Sequence, residues 1–360
     1  MAQIDAFFKL MNEQGASDLH MVAGQQPILR IRGDMELVKY KVMDNDALKA
    51  MLYEICPEEK IKVFEETGDV DFGYEIPGLA RYRGNFFMQK NGIGAVFREI
   101  PNTILTCEQL GLPAVVSRLS QLPKGMVLVT GPTGSGKSTT LAAIVDECNR
   151  TRKHHILTIE DPIEFVHVSQ KSIVNHRELG THTKSFAAAL RGALREDPDI
   201  ILVGEMRDLE TIALALEAAM TGHLVFATLH TLNASKTVDR MVEIFPSSQQ
   251  EQVRSSLADA LKAVISQTLF KRRDVKGRCA ALEILICTPA VRNLIREGKT
   301  YQIPSAMQTG KKYGMQTLDD AIMDFLKKTW ISPQDAYTNA VEKAKFLPFL
   351  KGVPSDFTEI

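Results

Sequence analysis

Gly131-Pro-Thr-Gly-Ser-Gly-Lys-Ser138 is the part of this sequence that most constrains the fold. It matches the pattern GxxxxGK(S/T) in full, and this pattern is typical of a loop that binds nucleotide phosphates. An apolar strand pattern, Met126–Thr130, leads into the loop, and a helical pattern, Ser138–Asn149, leads out of it. Glycines let the backbone N–H groups turn toward phosphate oxygens, and the start of a helix adds a partial positive charge. The sequence therefore predicts a nucleotide-binding α/β domain.

The motif also assigns roles to single side chains of this loop. We expect Lys137 to reach the β- and γ-phosphates and the hydroxyl of Ser138 to bind Mg²⁺. The predicted nucleotide-binding residues are Gly131, Thr133, Gly134, Ser135, Gly136, Lys137, Ser138 and Thr139. ATP and Mg²⁺ are the ligands that such a loop requires.

A second apolar run, Asp199–Val203, is followed by Gly204 and Glu205. Such a strand is expected beside the strand of the phosphate-binding loop, with its carboxyl end at the ligand crevice. Gly204 stands where an aspartate is usual, so Mg²⁺ loses one common carboxylate contact. Glu205 is the candidate to position or deprotonate the attacking water, and to contact Mg²⁺ through water.

Two more polar segments follow strand patterns. Thr158-Ile-Glu-Asp-Pro-Ile-Glu164 crowds carboxylates around a turn fixed by Pro162, and such crowding is relieved by a nearby cation. Glu164 is the predicted ligand of Mg²⁺ or of a water. His230 follows the strand pattern Leu224–Ala227, and its imidazole is a candidate to hydrogen-bond the γ-phosphate.

Strands and helices alternate around these motifs, which predicts a mainly parallel sheet covered on both faces. After Gln250 the pattern is mostly helical, with one further apolar run at Ala280–Cys287. Residues 1–100 differ, because short helical patterns alternate with strand patterns at Asp18–Ala23, Ile28–Leu37 and Asp69–Ile100. We therefore predict an N-terminal α+β domain with an antiparallel sheet over 1–100, a linker over 101–107 and the nucleotide-binding domain over 108–360.

The composition excludes several classes of protein. Of the 360 residues, 44% are apolar and 24% are charged, and the formal net charge of −1 gives no general attraction to nucleic acid. Apolar runs fall short of the roughly 18–20 residues that span a bilayer, and the N-terminus does not resemble a secretory signal. The five cysteines form no CxxC pair, so a structural zinc site is not expected. A cytoplasmic location follows as an expectation.

Together, four segments resemble the secretion-type ATPases, the motors of type IV pili, type II secretion and archaeal filaments. They are GPTGSGKST (131–139), TIEDPIE (158–164), PDIILVGEMRD (198–208) and TGHLVFATLHT (221–231). The resemblance covers the whole chain, since the N-terminal part is similar to the PAS-like module of that family. It implies a RecA-like catalytic domain, a homohexameric ring, and N-terminal arginines that contact nucleotide phosphate. The matching positions are Arg81, Arg83 and Arg98, of which Arg81 and Arg83 share one face of a strand.

Within that family, several features resemble the branch that retracts pili. Ala290–Glu297 is similar to the AIRNLIRE motif of that branch, and Gly314–Asp319 to a nearby stretch. The four-cysteine zinc motif of many assembly and secretion ATPases is absent from the sequence. The resemblance implies a cytoplasmic motor docked at the inner membrane, whose partner is a pilus platform protein and which drives pilin disassembly and twitching motility.

Three alternatives remain open at the level of sequence. A pilus-extension or type II secretion ATPase would share most motifs. A RecA-like nucleic-acid motor is disfavoured by the neutral charge and by the lack of interleaved basic and aromatic residues. A non-catalytic scaffold that binds nucleotide only to assemble is disfavoured by the complete loop and by Glu205.

Overall fold

The computed structural model describes residues 2–31, 34–100 and 103–350 of the chain. The chain divides into two compact units. The first consists of Met1–Ile104 with Pro162–Val166, and the second of Leu105–Asp161 with His167–Ile360. Residues 101–102, in the predicted linker, lie outside the described residues. Within the described residues, no helix is both long enough and apolar enough to cross a bilayer.

The first unit is an antiparallel sheet with three helices. Its elements are α1 (Asp5–Gln14), β1 (Asp18–Val22), β2 (Ile28–Ile31), β3 (Asp34–Leu37), α2 (Asn45–Tyr53), α3 (Glu58–Thr67), β4 (Asp69–Ile76), β5 (Ala80–Gln89) and β6 (Gly92–Ile100). The strand order is β3-β2-β1-β6-β5-β4. The predicted strand Ile28–Leu37 consists of two strands that pair with each other.

Aromatic side chains fill the core of the first unit. Phe8 of α1 stacks on Tyr82 of β5 with ring centroids 4.1 Å apart, and the edge of Phe97 meets the same Phe8 ring. Phe7, Phe8 and Met11 are buried on one side of α1, as the helical spacing predicts. Alternate residues of β5 are buried, so Arg81 and Arg83 lie on the opposite face.

The second unit is a mainly parallel sheet with helices. Its elements are α4 (Ala114–Leu119), β7 (Gly125–Thr130), α5 (Lys137–Thr151), β8 (His155–Glu160), β9 (Ile173–Glu178), α6 (Phe186–Ala193), β10 (Ile200–Val203), α7 (Leu209–Thr221), β11 (Leu224–Leu229), α8 (Ala234–Glu243), α9 (Gln250–Ala260), β12 (Leu261–Lys271), β13 (Arg278–Ile286), α10 (Pro289–Arg296), α11 (Ile303–Thr309), α12 (Leu318–Lys327) and α13 (Pro333–Asn339). The strand order is β13-β12-β7-β11-β10-β8-β9. Only the pairing of β12 with β13 is antiparallel.

Helices cover both faces of this sheet. Met126 and Leu128 of β7 pack in the core that contains α7, α8 and α9, while Val127 and Val129 pack in the core that contains α5. Burial on both faces explains why the central strands are continuous apolar runs. The predicted α/β class, with a mainly parallel sheet and a helical C-terminal part, is confirmed.

Two details of the predicted sheet are wrong. The strand that precedes Glu205, β10, does not adjoin β7, because β11 lies between them. The segment Leu261–Lys271, which the sequence assigned to a helical region, is the strand β12. It pairs with β7 on one side and with β13 on the other, so it becomes an interior strand next to the phosphate-binding loop.

Candidate functional site

The phosphate-binding loop joins the end of β7 at Thr130 to the start of α5 at Lys137. Gly131, Gly134 and Gly136 have φ values of 142°, 78° and 89°, which L side chains rarely adopt. Gly131 is also sterically required, because a Cβ there would lie 2.4 Å from the carbonyl oxygen of Gln267. The glycines therefore allow the loop both to turn and to lie close to β12.

Lys137 folds back over the loop that precedes it. Its Nζ donates to the carbonyl oxygens of Gly131 and Pro132 at 2.9 and 3.1 Å. Ser138 and Thr139 follow in the first turn of α5 and are half-buried. Among the residues that the structure describes, no side chain caps the start of this 15-residue helix. An ammonium group and a helix N-terminus on one short loop suit a polyphosphate.

Glu205 lies two residues beyond β10, and His230 is the first residue beyond β11. The two side chains meet, because His230 Nε2 lies 3.0 Å from Glu205 Oε1. β7, β11 and β10 are parallel neighbours, so the phosphate-binding loop, His230 and Glu205 all follow the carboxyl ends of strands. This edge is where α/β sheets bind ligands.

Arg207 is part of this cluster, although the sequence motifs predicted no role for it. Its Nε and Nη2 donate to the two carboxylate oxygens of Glu205 at 2.6 and 2.7 Å. Burial alone disfavours the charged carboxylate, but the hydrogen bonds from Arg207 and the charge of His230 outweigh it and hold the pKa of Glu205 below its ordinary value. Glu205 is therefore an ionised carboxylate at neutral pH, as an acceptor of a water proton must be. The position of Arg207 two residues after Glu205 was the signal available in the sequence.

Steric crowding explains why residue 204 is a glycine. A Cβ there would lie 3.2 Å from both the Cα of Glu160 and the carbonyl oxygen of Ile159, and 3.5 Å from Cγ of Glu160. Thr228 adds to the restraint, because its hydroxyl donates to the Gly204 carbonyl oxygen. The space for a side chain at 204 is thus taken by the end of β8, and the buried Glu160 lies beside it.

The acidic segment 158–164 is divided between the two units. Glu160 and Asp161 belong to the second unit, while Glu164 belongs to the first, together with the rest of Pro162–Val166. Inside the first unit, Arg81 Nε donates to the carbonyl oxygen of Ile163 at 2.9 Å. Arg83 Nη1 lies 3.8 Å from Glu164 Oε1. The arginines are therefore neighbours of the acidic segment.

The three predicted arginines lie on one face of the first unit's sheet. Arg83 of β5 and Arg98 of β6 are directly opposite each other in the antiparallel register. Arg98 Nε donates to Asp18 Oδ1 at 2.8 Å, whereas Arg83 Nε lies 3.6 Å from Asp71 Oδ1. The guanidinium groups of Arg83 and Arg98 are thus each paired with an aspartate of the same unit. Their predicted contact with phosphate stays a prediction.

Residues that suit Mg²⁺ are present at the second unit's sheet edge. Within the described ranges, no group of three or more His, Cys, Asp or Glu side chains is arranged to hold a metal ion. Mg²⁺ in nucleotide sites takes most of its ligands from phosphate and water and needs few from protein. The hydroxyl of Ser138 in the first turn of α5 and the carboxylate of Glu205 fit that requirement.

Comparisons with known proteins agree with this geometry. Residues 2–332 match the family model described as Type II/IV secretion system protein. The chain is 56% identical over 333 residues to the type IV pilus retractation ATPase PilT of Pseudomonas aeruginosa, covering 92% of this chain and 95% of that protein. It is 53% identical to a twitching motility protein of Neisseria gonorrhoeae, covering 87% and 84%. The crystal structure of the pilus retraction motor PilT with bound ADP is similar with a TM-score of 0.87, at 45% identity, covering 96% and 98%.

Proposed function

We propose that this chain, which belongs to the type II/IV secretion system protein family, is an ATP-hydrolysing motor that drives retraction of type IV pili. One observation carries the proposal. The phosphate-binding loop and the Glu205–His230 pair follow neighbouring parallel strands at one edge of the sheet, in a chain that is 56% identical to a pilus retraction ATPase. Retraction removes pilin subunits from the fibre and supports twitching motility.

Each residue of the proposed site has its own role in hydrolysis. The loop backbone and Lys137 bind the phosphates, and Lys137 exchanges the Gly131 and Pro132 carbonyls for phosphate oxygens. Glu205 accepts a proton from, or orients, the attacking water. His230, whose Nε2 is bound to Glu205, contacts the γ-phosphate through its imidazole. Ser138 holds Mg²⁺, with Glu205 and Glu164 contributing through water, and the ion neutralises charge on the phosphates.

The protein works as a homohexamer in this proposal. Arg81, Arg83 and Arg98 supply positive charge to a nucleotide phosphate from the first unit, and hydrolysis rotates that unit against the second. The ring lies in the cytoplasm at the base of the pilus. An inner-membrane platform protein receives the movement, so contact with the membrane is made through that partner.

The proposal is tested in cells that lack this protein. Surface pili are counted by electron microscopy in the deletion strain, in its parent, and after complementation with wild type or Lys137→Ala. We expect more pili and no twitching in the deletion strain, rescue by wild type, and no rescue by Lys137→Ala. Fewer pili would favour the pilus-extension function instead, and an unchanged number would contradict a role in retraction. ATPase activity stimulated by DNA would favour a nucleic-acid motor.

A further inference from the structure

Gln267 is a buried amide in the wall of the phosphate-binding loop. It is 3% exposed and lies on β12, 132 residues from the loop residue that it contacts. Its Nε2 donates to the carbonyl oxygen of Ser135 at 2.6 Å, and its Oε1 accepts from the hydroxyl of Thr140 at 2.8 Å. One side chain thus joins the middle of the loop to the first turn of α5.

The position of Gln267 follows from the register of β12. Ser266 is directly opposite Thr130, the last residue of β7, and their hydroxyl oxygens are 2.8 Å apart. Gln267 comes one residue later, where β7 has ended and its chain has become the loop. Its side chain points to the opposite face from Ser266, which is the face covered by α5. The strand therefore extends past β7 far enough to support the loop.

Two glycines of the loop lie close to Gln267, Gly136 to its side chain and Gly131 to its backbone. A Cβ on Gly136 would lie 2.7 Å from Nε2 of Gln267, and a Cβ on Gly131 would lie 2.4 Å from the Gln267 carbonyl oxygen. Real Cβ atoms do not approach other atoms this closely. Gln267 thus occupies the space where Gly131 and Gly136 lack a side chain. It packs against the loop from the side of the sheet.

The chemistry of the two contacts requires a neutral amide. The Ser135 carbonyl oxygen can only accept, so it fixes the amide with its N–H₂ toward the loop. The amide oxygen then faces Thr140, which must donate. A carboxylate of the same shape would accept from Thr140 but would place an oxygen against the Ser135 carbonyl oxygen. A buried polar group without a partner is costly, so the pair of contacts is specific for glutamine.

We infer that Gln267 is a positioning residue for nucleotide binding, which holds the phosphate-binding loop in the conformation that receives the phosphates. This inference rests on the proposed function, because it concerns the same nucleotide site. Gln267 acts through the loop backbone and through α5, not by contact with the reacting atoms. Its loss should therefore weaken nucleotide binding more than it slows the chemical step.

The test compares variants of the full chain in two measurements. ADP binding is measured by calorimetry, and ATP hydrolysis is measured over a range of ATP concentrations. Gln267→Leu loses two buried hydrogen bonds. The isosteric Gln267→Glu loses one and places an oxygen against the Ser135 carbonyl oxygen. Both variants should raise the Kd for ADP and the KM for ATP about tenfold. The kcat at saturating ATP should change less than about threefold. Thr140→Val, which removes one contact, should raise both constants about threefold.

Gln316→Leu is the matched control. Gln316 also donates its side-chain amide to a backbone carbonyl oxygen, that of Leu282 at 2.9 Å, but that carbonyl is on β13 and not on the loop. Gln316→Leu should leave both constants unchanged. Thermal unfolding of every variant separates misfolding from weak binding, and Thr140→Val still tests the inference if both Gln267 variants fail to fold.

Four results would be decisive against the inference or its premise. Wild-type Kd in Gln267→Glu, or an equal loss of binding in Gln316→Leu, would overturn the role of Gln267 while leaving the proposed function intact. A fall in kcat with unchanged KM would also overturn it. If the wild-type protein bound no ADP, the proposed function itself would fail.

Discussion

Arg207 and His230 hold the Glu205 carboxylate from two sides, and Arg207 binds both of its oxygens. A general base in this state has a low pKa and stays ionised in mildly acidic solution. It is also restrained, because a bidentate guanidinium fixes the plane of the carboxylate. At the scale of single residues, Arg207 therefore controls both the charge and the orientation of the proposed base.

We predict that Arg207→Ala shifts the acidic limb of the pH–rate profile to higher pH. Hydrolysis requires ionised Glu205, and activity falls as pH decreases through its pKa. Burial still raises the pKa of Glu205 when Arg207 is gone, and only His230 remains to lower it, so protonation begins at higher pH. The measurement is kcat/KM for ATP between about pH 5 and 8.

Arg273→Ala, at an exposed position between β12 and β13, is the control and should leave the profile in place. An unchanged acidic limb in Arg207→Ala would mean that another group sets it, and Glu205 would lose its assignment as the base. Glu205→Gln should remove the limb together with most of the activity, by a factor of about 10² or more.

At the scale of elements, His167 in the connection between β8 and β9 stacks on His176 of β9. The rings of His167 and His176 are 5.9 Å apart, and the His167 backbone N–H donates to His176 Nε2 at 3.0 Å. His167 is buried, and among the described residues its Nδ1 finds no hydrogen-bond partner. Burial, with a smaller effect of His176, lowers the pKa of His167 from 6.5 to about 4.

We predict that this histidine makes the fold sensitive to acid. In the folded state His167 stays neutral down to about pH 4, whereas in the unfolded state it binds a proton below pH 6.5. The unfolded state thus binds more protons in this window, and stability falls as pH decreases from 6.5 toward 4, by up to about 3 kcal/mol. The free energy of unfolding is measured with urea at pH 7 and pH 5. In His167→Leu it should fall less between these two pH values than in wild type.

His182→Leu is the comparison, because His182 is exposed. It should retain the wild-type dependence on pH. Equal slopes for wild type and His167→Leu would show that His167 protonates in the folded protein as readily as in the unfolded one.

The strands show where sequence patterns succeed and where they fail. β7, β8, β10 and β11 could be predicted, because interior parallel strands are short apolar runs set off by helices. β12 could not, since Leu261–Lys271 follows α9 with no glycine or proline between them and is buried on both faces. A continuous apolar run of that kind does not distinguish strand from helix. β9 was also missed, because this edge strand has the polar sequence Asn175-His-Arg-Glu178 within it.

Some residues of the candidate site could likewise be predicted from the sequence, and others could not. The loop, Glu205 and His230 could be found because each belongs to a local motif after a strand. Gln267 could not, because its partners, Ser135 and Thr140, are more than 120 residues away and are brought close only by the pairing of β12 with β7. Contacts set by the order of strands leave no local pattern in the sequence.

At the scale of the whole molecule, the chain passes between its two units three times. Asp161 and His167 belong to the second unit, yet the five residues between them belong to the first. Arg81 holds that segment through the Ile163 carbonyl oxygen, with Arg83 near Glu164. Any rotation of the first unit therefore moves Glu164 with it. Glu164, the proposed Mg²⁺ ligand, therefore belongs to the unit that is proposed to rotate.

We predict that Arg81 and Glu164 are energetically coupled in ATP hydrolysis. Arg81→Ala releases Ile163 and so misplaces Glu164, which removes much of what Glu164→Gln would remove. The double variant should therefore lose less activity than the product of the single losses, with a coupling free energy of at least about 0.5 kcal/mol in kcat/KM. Arg98, which is held by Asp18, supplies the control pair, and Arg98→Ala with Glu164→Gln should be additive within that margin. Additive losses in both pairs would show that Arg81 and Glu164 are not coupled. Any effect of Arg81 on hydrolysis would then not depend on Glu164.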